Sequence, residues 1–224
     1  MEPIGVLRTC FGEKFAVPRQ PGLCPSAWGK LFFHEAYRGE DFLRGIDGFS
    51  HVWLIFGFHE TLDRGWSPTV RPPRLGGNQR VGVFASRSTH RPNGLGLSLC
   101  RLDGIESTST GPALLLGGVD LIDGTPVYDV KPYLAYAEAL PDARCGYADE
   151  SPQRREVVIE DGVRAAFLAL PSRDQKLIEE VLALDPRPAA HDDVNRTYGA
   201  LLCGWNVKFR VDDQVHLVAI EKSA

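Results

Sequence analysis

The sequence predicts a mainly β protein, with a small N-terminal β-barrel followed by a compact α+β module. Three observations lead there. Residues 1–150 hold short β-branched or aromatic runs broken by glycine and proline, with few helical patterns between them. The stretch "PDARCGYADESPQRRE" then reads as a turn-rich linker. Beyond it, residues 151–224 change texture to two helical spacings and an alternating tail.

In chain order, the expected strands are "IGVLR", "KLFFHEA", "HVWLIFGFHE", "RVGVFAS", "LGLSLCRLDGI", "ALLLGGVDLI" and "TPVYDVKPYL". One helix is expected at "GEDFLRGIDGF", where Phe42, Leu43 and Ile46 share a face. In the second module "EDGVRAAFLAL" and "SRDQKLIEEVLAL" read as helices, with Ser172 as N-cap of the second and Pro186 as its stop. The tail "NVKFRVDDQVHLVAIE" alternates around Asp212-Asp213, which predicts a hairpin.

The 224 residues, 43% hydrophobic and 24% charged, are enough for one core with an appendage or for two unequal domains. No apolar run approaches a membrane span, and "MEPIGVLRTC" has neither a basic nor an apolar signal region. Five cysteines at wide spacing, without a C-x-x-C pair, argue against a disulfide framework or a zinc ribbon and suit the cytoplasm. A net charge of −4 is not that of a general nucleic-acid binder. Yet from Arg64 to Arg101 there are seven arginines and no carboxylate, a local basic surface that attracts polyanions unless it pairs with acids elsewhere.

Four segments are candidates for chemistry. "FAVPRQPG" holds Arg19 and Gln20 between prolines that restrict the backbone. "FGFHE" sets His59 and Glu60 where an apolar strand ends, a place where binding groups and structural histidines both occur. "VDLIDGTPVYDVKPY" spaces three aspartates among apolar residues. Asp123 there reads either as a turn residue or as a ligand contact, and no calcium-loop spacing is present. "RSTHRPNGLGLS" suggests a phosphate loop but lacks the third glycine of the dinucleotide fingerprint and the lysine of a P-loop; no G-x-S-x-G occurs anywhere.

Taken together, "KFAVPRQPGL", "FSHVWLIFGFHE", "WSPTVRPPRLGGNQRVGVFASRSTHRPNGLGLS" and "VDLIDGTPVYDVKPYL" resemble a bacterial and archaeal family of tRNA (adenine-N6)-methyltransferases that act on threonylcarbamoyl-adenosine beside the anticodon. The resemblance covers about residues 4–150. "ALDPRPA" and the later "TYGALL" and "WNVKFRV" are similar to the C-terminal extension of its bacterial members. It implies a non-Rossmann β-barrel that uses S-adenosylmethionine and works as a homodimer. By motif position it implies cofactor contacts from Pro18, Arg19, Gln20, His59, Glu60, Arg87, Leu97, Asp120, Leu121, Asp123, Gly124, Thr125 and Pro126. Two positions depart from the family pattern: His90 stands where an aromatic is common, and Gly94 where proline is common.

The chemistry suits that implication. The methyl group on a sulfonium is reactive, so alignment does much of the work. The N6 nitrogen of a carbamoylated adenosine is urea-like and weak, so its proton needs a base or its anion needs stabilising. Asp123, Glu60, His59 and His90 are the possible bases and Arg87 or Arg91 the stabilisers; Asp123, His59 and Arg91 are the catalytic candidates. Arg71, Arg74, His90, Arg187 and Arg196 are expected to face tRNA, the threonine-accepting one by the resemblance, with Trp66 as a stacking platform. Two rival readings are a non-catalytic RNA-binding barrel and a hydrolase built on His59 and the aspartates.

Overall fold

The computed structural model describes residues 1–76, 78–188 and 193–223. Along the chain run β1 (Gly5–Thr9), β2 (Trp28–Phe33), β3 (His51–Gly57), β4 (Thr69–Val70), β5 (Val81–Gly82), β6 (Leu95–Thr108), β7 (Gly111–Gly117) and β8 (Thr125–Pro132). After them come α1 (Ala135–Glu138), β9 (Val157–Ile159), α2 (Asp161–Leu168), α3 (Ser172–Ala183), β10 (Tyr198–Leu202), β11 (Trp205–Val211) and β12 (Val215–Lys222).

Six of the strands pair in the order β1-β2-β7-β6-β3-β8. Strand β8 pairs with β3 and also back to β1, from Gly5↔Val127 to Leu7↔Thr125, so the sheet closes on itself as a barrel. The alternation of β2 and β3 explains the closure: Leu31 and Phe33, and Val52, Leu54 and Phe56, all point to the buried side. With Leu7, Leu114, Leu116 and Val127 they fill the interior. Phe56 lies over Gly96, where any β-carbon would collide with its ring.

The C-terminal residues form a four-stranded sheet, β10-β11-β12-β9, with β9 parallel to β12. Helices α2 and α3 bury Val163, Phe167, Leu177, Ile178, Val181 and Leu182. The two sheets are not independent. Phe11 bridges to Leu202, the Cys203 N–H donates to Cys10 O at 2.8 Å, and one hydrophobic cluster runs through Phe11 and Leu202 into both.

Several expectations need correction. Residues 39–49 form two short 3-10 turns, Glu40–Leu43 and Ile46–Gly48, because Gly45 sits at φ +83 and ends the first. "RVGVFAS" gives only the two-residue β5 and then a 3-10 turn, which leaves Phe84 81% exposed. Ser172 is the first residue of α3 and not its N-cap, which is Pro171 with no side-chain cap. Strands β9 and β10 were not expected, being too short or too small-residue-rich to announce themselves. The Asp212-Asp213 turn does join β11 to β12, with Val211 opposite Val215. Among the described residues, no helix is long and apolar enough to cross a membrane.

Because both sheets share one core, Phe11→Ala is expected to cost about 3–5 kcal/mol. Urea unfolding should then shift as a single transition. Two separated transitions, one at the wild-type midpoint, would show that the sheets are not coupled through Phe11.

Candidate active site

The site is built around a buried carboxylate. Strand β6 alternates Leu97 and Leu99 outward with Ser98 and Cys100 inward, so a hydroxyl lies inside the closed sheet. Ser98 donates to Asp120 Oδ1 at 2.5 Å. Asp120 belongs to the β7–β8 connection, which turns at Gly118 with φ +67. Two bonds fix that turn: Gly118 N–H donates to Ala27 O at 2.7 Å, and Gly22 N–H donates to Gly118 O at 2.8 Å. The second holds the proline-bounded loop of Pro18, Arg19 and Gln20 against the aspartate.

Arg87 reaches this place from the acid-free segment. Its Nη1 donates to Gln20 Oε1, and its charge acts on Asp120. Burial pushes the Asp120 carboxyl up to about 6, against the opposing pull of the Ser98 hydroxyl and Arg87. Four residues from distant parts of the chain thus form one polar cluster: Gln20, Arg87, Ser98 and Asp120. Leu97, next to Ser98 in sequence but on the outward face of β6, is 56% exposed. Ser98 carried no expectation from sequence; the signal available was a hydroxyl on the inward side of an apolar strand.

The strand end with His59 and Glu60 is fastened to the 89–94 segment. Phe58 N–H donates to Gly94 O at 2.8 Å, which ties the end of β3 to the 92–94 turn. His59 Nε2 lies 3.7 Å from Glu60 Oε1. Thr61, nearly buried, donates to Phe58 O and faces Thr89 O, and Arg91 Nη1 donates to Ser86 O at 3.1 Å. His90 Nδ1 is 3.4 Å from Gly65 O. Gly94 sits at φ +57, which proline cannot adopt, and Leu62 occupies the space a β-carbon would need.

Asp123 is placed differently. Its Oδ1 accepts the Thr9 N–H at 2.9 Å and its Oδ2 pairs with Arg8 at 3.0 Å. Around it, Thr9 Oγ1 donates to Leu121 O, Gly124 N–H to Leu7 O, and Thr125 Oγ1 to Ile122 O, while Pro126 stands opposite Val6. This turn locks β8 onto β1, and both Asp123 oxygens have protein partners.

The expected RNA-facing residues are spread more widely. Arg71 is exposed, Arg74 donates to Glu150 O, and Arg196 lies over the Tyr198 ring at 5.1 Å. Trp66 is 62% exposed. Arg187 corrects the expectation: its side chain is 10% exposed and pairs with Asp185 at 2.8 Å, so it faces inward. Burial raises the Asp185 carboxyl, but Arg187 and Arg155 overcome it and hold the group below its usual range. Arg19 is half-buried close enough to feel Asp185, and burial lowers its guanidinium pKa. Asp185, at φ +47, is the anchor that sequence reading missed. Among the described residues, no three His, Cys, Asp or Glu side chains converge as a metal would need.

Comparison with known proteins agrees along the whole chain. The tRNA-methyltransferase O N-terminal domain family matches residues 6–139, and the TrmO C-terminal domain family matches residues 152–223. The tRNA (adenine(37)-N6)-methyltransferase of Escherichia coli strain K12 is 50% identical over 218 residues, covering 95% of this chain and 93% of that one. A Pseudomonas aeruginosa relative, provisionally named an S-adenosylmethionine-dependent methyltransferase, is 47% identical over 90% of this chain and 88% of its own. A crystal structure of TrmO from Pseudomonas aeruginosa superposes with a TM-score of 0.80 at 39% identity, covering 98% of this chain and 96% of that one.

The buried carboxylate gives a pH test. Burial favours its protonated form, so Asp120 contributes stability that is complete below about pH 4. That contribution is lost as pH rises through its folded-state value of about 6. Relative to Asp120→Asn, the wild type should lose up to about 3 kcal/mol between these limits in urea titrations. A difference that does not change with pH would mean that Asp120 is ionised throughout.

Proposed function

The chain belongs to the tRNA-methyltransferase O family and is an S-adenosylmethionine-dependent tRNA methyltransferase; we propose that it methylates N6 of the threonylcarbamoylated adenosine at position 37 of threonine-accepting tRNA. The observation that carries this reading is the convergence of Gln20, Arg87, Ser98 and Asp120. Ser98 is the member that the motifs do not supply, and the four suit the polar end of the cofactor.

That fit is one of donor chemistry. Arg87 and Gln20 offer a cation and an amide to the methionine carboxylate, the Asp120 segment offers acceptors to the amine and ribose, and Leu97 offers an apolar wall to the adenine. Pro18, Arg19, Glu60, Leu121, Gly124, Thr125 and Pro126 complete the rim in this reading. When bound, the cofactor supplies an electrophilic methyl group on positive sulfur. The protein's own task is then to align the nucleophile and manage its proton.

We assign the proton to His59. It stands at a strand end with its Nε2 3.7 Å from Glu60 Oε1, and an imidazole nitrogen can accept a proton. Asp123 is less suited, since Arg8 and Thr9 occupy its oxygens. Arg91, whose Nη1 donates to Ser86 O, is the cation we assign to stabilising a deprotonated N6. Arg71, Arg74, His90 and Arg196 with Trp66 are the surface we assign to tRNA. A division at about residue 150 into a cofactor-binding β-barrel domain and a small α+β C-terminal domain belongs to the same proposal, as do a homodimer and a cytoplasmic location.

Incubation with threonylcarbamoylated threonine tRNA and labelled S-adenosylmethionine, followed by nucleoside mass spectrometry, should give one methylated nucleoside. Verified substrate and bound cofactor without product would reject the substrate assignment. Arg87→Ala should weaken cofactor binding by about tenfold or more, as loss of a charge-assisted contact does. His59→Ala should lower turnover by about 10²-fold or more with cofactor affinity retained. A His59→Ala enzyme at full rate would place the base elsewhere.

A further inference from the structure

A second feature lies outside this cluster. A cavity of about 380 Å³ opens where β6 and the 25–26 segment meet the first turns of α3. Ser26, Arg101 and Asp103 line it from one side, Ser172, Arg173 and Lys176 from the other. Arg101 closes the acid-free segment of the sequence, and Arg173 and Lys176 lie three residues apart on one face of α3.

The charges there do not cancel. Asp103 holds Arg101 through Nε at 2.5 Å and Nη2 at 3.2 Å, which fixes the guanidinium plane. Arg173 Nε donates to Ser26 O at 3.4 Å, and its guanidinium carbon stands 5.9 Å from the Trp28 ring centre. Glu180, two turns along α3 from Arg173, accepts from Ser26 N–H and Oγ, each at 2.9 Å. Three cations therefore face two carboxylates, and Arg173 and Lys176 are exposed. In a chain of net charge −4, this local excess on a concave surface selects an anion.

Position favours a polyanion over a small one. Arg101 lies three residues along β6 from Ser98, about 10 Å by strand rise, and on the outward face of the strand. Ser26, on the same wall as Arg101, follows closely on the Gly22–Gly118 contact that holds the Gln20 loop. A polyanion lying along the outer side of β6 toward that loop would pass this cavity.

We propose that this cavity is a phosphate-binding site for the tRNA backbone, with Arg173 and Lys176 as the contacting cations and Arg101 oriented by Asp103. The site rests on the tRNA-methyltransferase reading. It holds the substrate and takes no part in the proton or methyl transfer.

The decisive variants are Lys176→Gln and Arg173→Gln/Lys176→Gln. Lys176→Gln is the cleaner, because Arg173 also packs over Trp28. Methylation of tRNA by each should show KM for tRNA raised about fivefold for the single and about twentyfold for the double variant, with kcat within about twofold. The dependence of log affinity on log salt should become shallower by about 0.7–0.9 per charge removed. Cofactor affinity by calorimetry and the melting temperature should match wild type. Unchanged KM for tRNA and unchanged salt slope in both variants would overturn the proposal. So would loss of inorganic phosphate binding in the variants with tRNA KM unaltered, since the cavity would then serve a small anion. If the wild type methylates no tRNA, the functional reading fails separately. Direct tRNA binding by fluorescence anisotropy then decides the cavity's role on its own, equal affinities for wild type and variants again counting against it.

Discussion

Everything in the candidate site depends on one ionisable group placed inside a closed sheet. Asp120 is held there by the Ser98 hydroxyl, by its own backbone N–H and by the charge of Arg87. A carboxylate in that environment is costly unless hydrogen-bonded and countered. The loop at Gln20, the turn at Gly118 and the arrival of Arg87 all follow from that requirement. Each brings a group that a zwitterionic sulfonium ligand also needs, so the residues that make the buried acid tolerable are those of the proposed binding surface.

Strand closure and ligand site are therefore one construction. β8 must reach both β3 and β1 for the ring to close, and the turn that delivers it is the Leu121–Pro126 stretch. Within a few residues of the chain, Asp120 serves the site and Asp123 serves the closure. Carboxylates three residues apart thus have different duties because one points into the sheet and the other across to Arg8.

Much of this was legible in the sequence, and what was not has physical reasons. The alternation of "HVWLIFG" and "TPVYDVKP" made β3 and β8 readable, since a period of two leaves little choice once one face is buried. The helices at 161–183 were readable from their apolar faces. Residues 39–49 misled because three apolar side chains at helical spacing outweighed glycines that cannot hold a helix together. The four motifs pointed to a common ligand, but Ser98 was invisible as its partner, because a serine's role depends on which face of β6 it occupies. Arg187 looked available for RNA, yet Asp185, only two residues away, turns it inward. Local sequence does not say which side of a pair is covered by the rest of the fold.

Gly94 shows how a torsion angle, and not space, can restrict a position. With φ at +57 the backbone itself excludes proline, while the exposed tip of Leu62 can swing aside for a small side chain. The turn therefore tolerates bulk better than it tolerates rigidity.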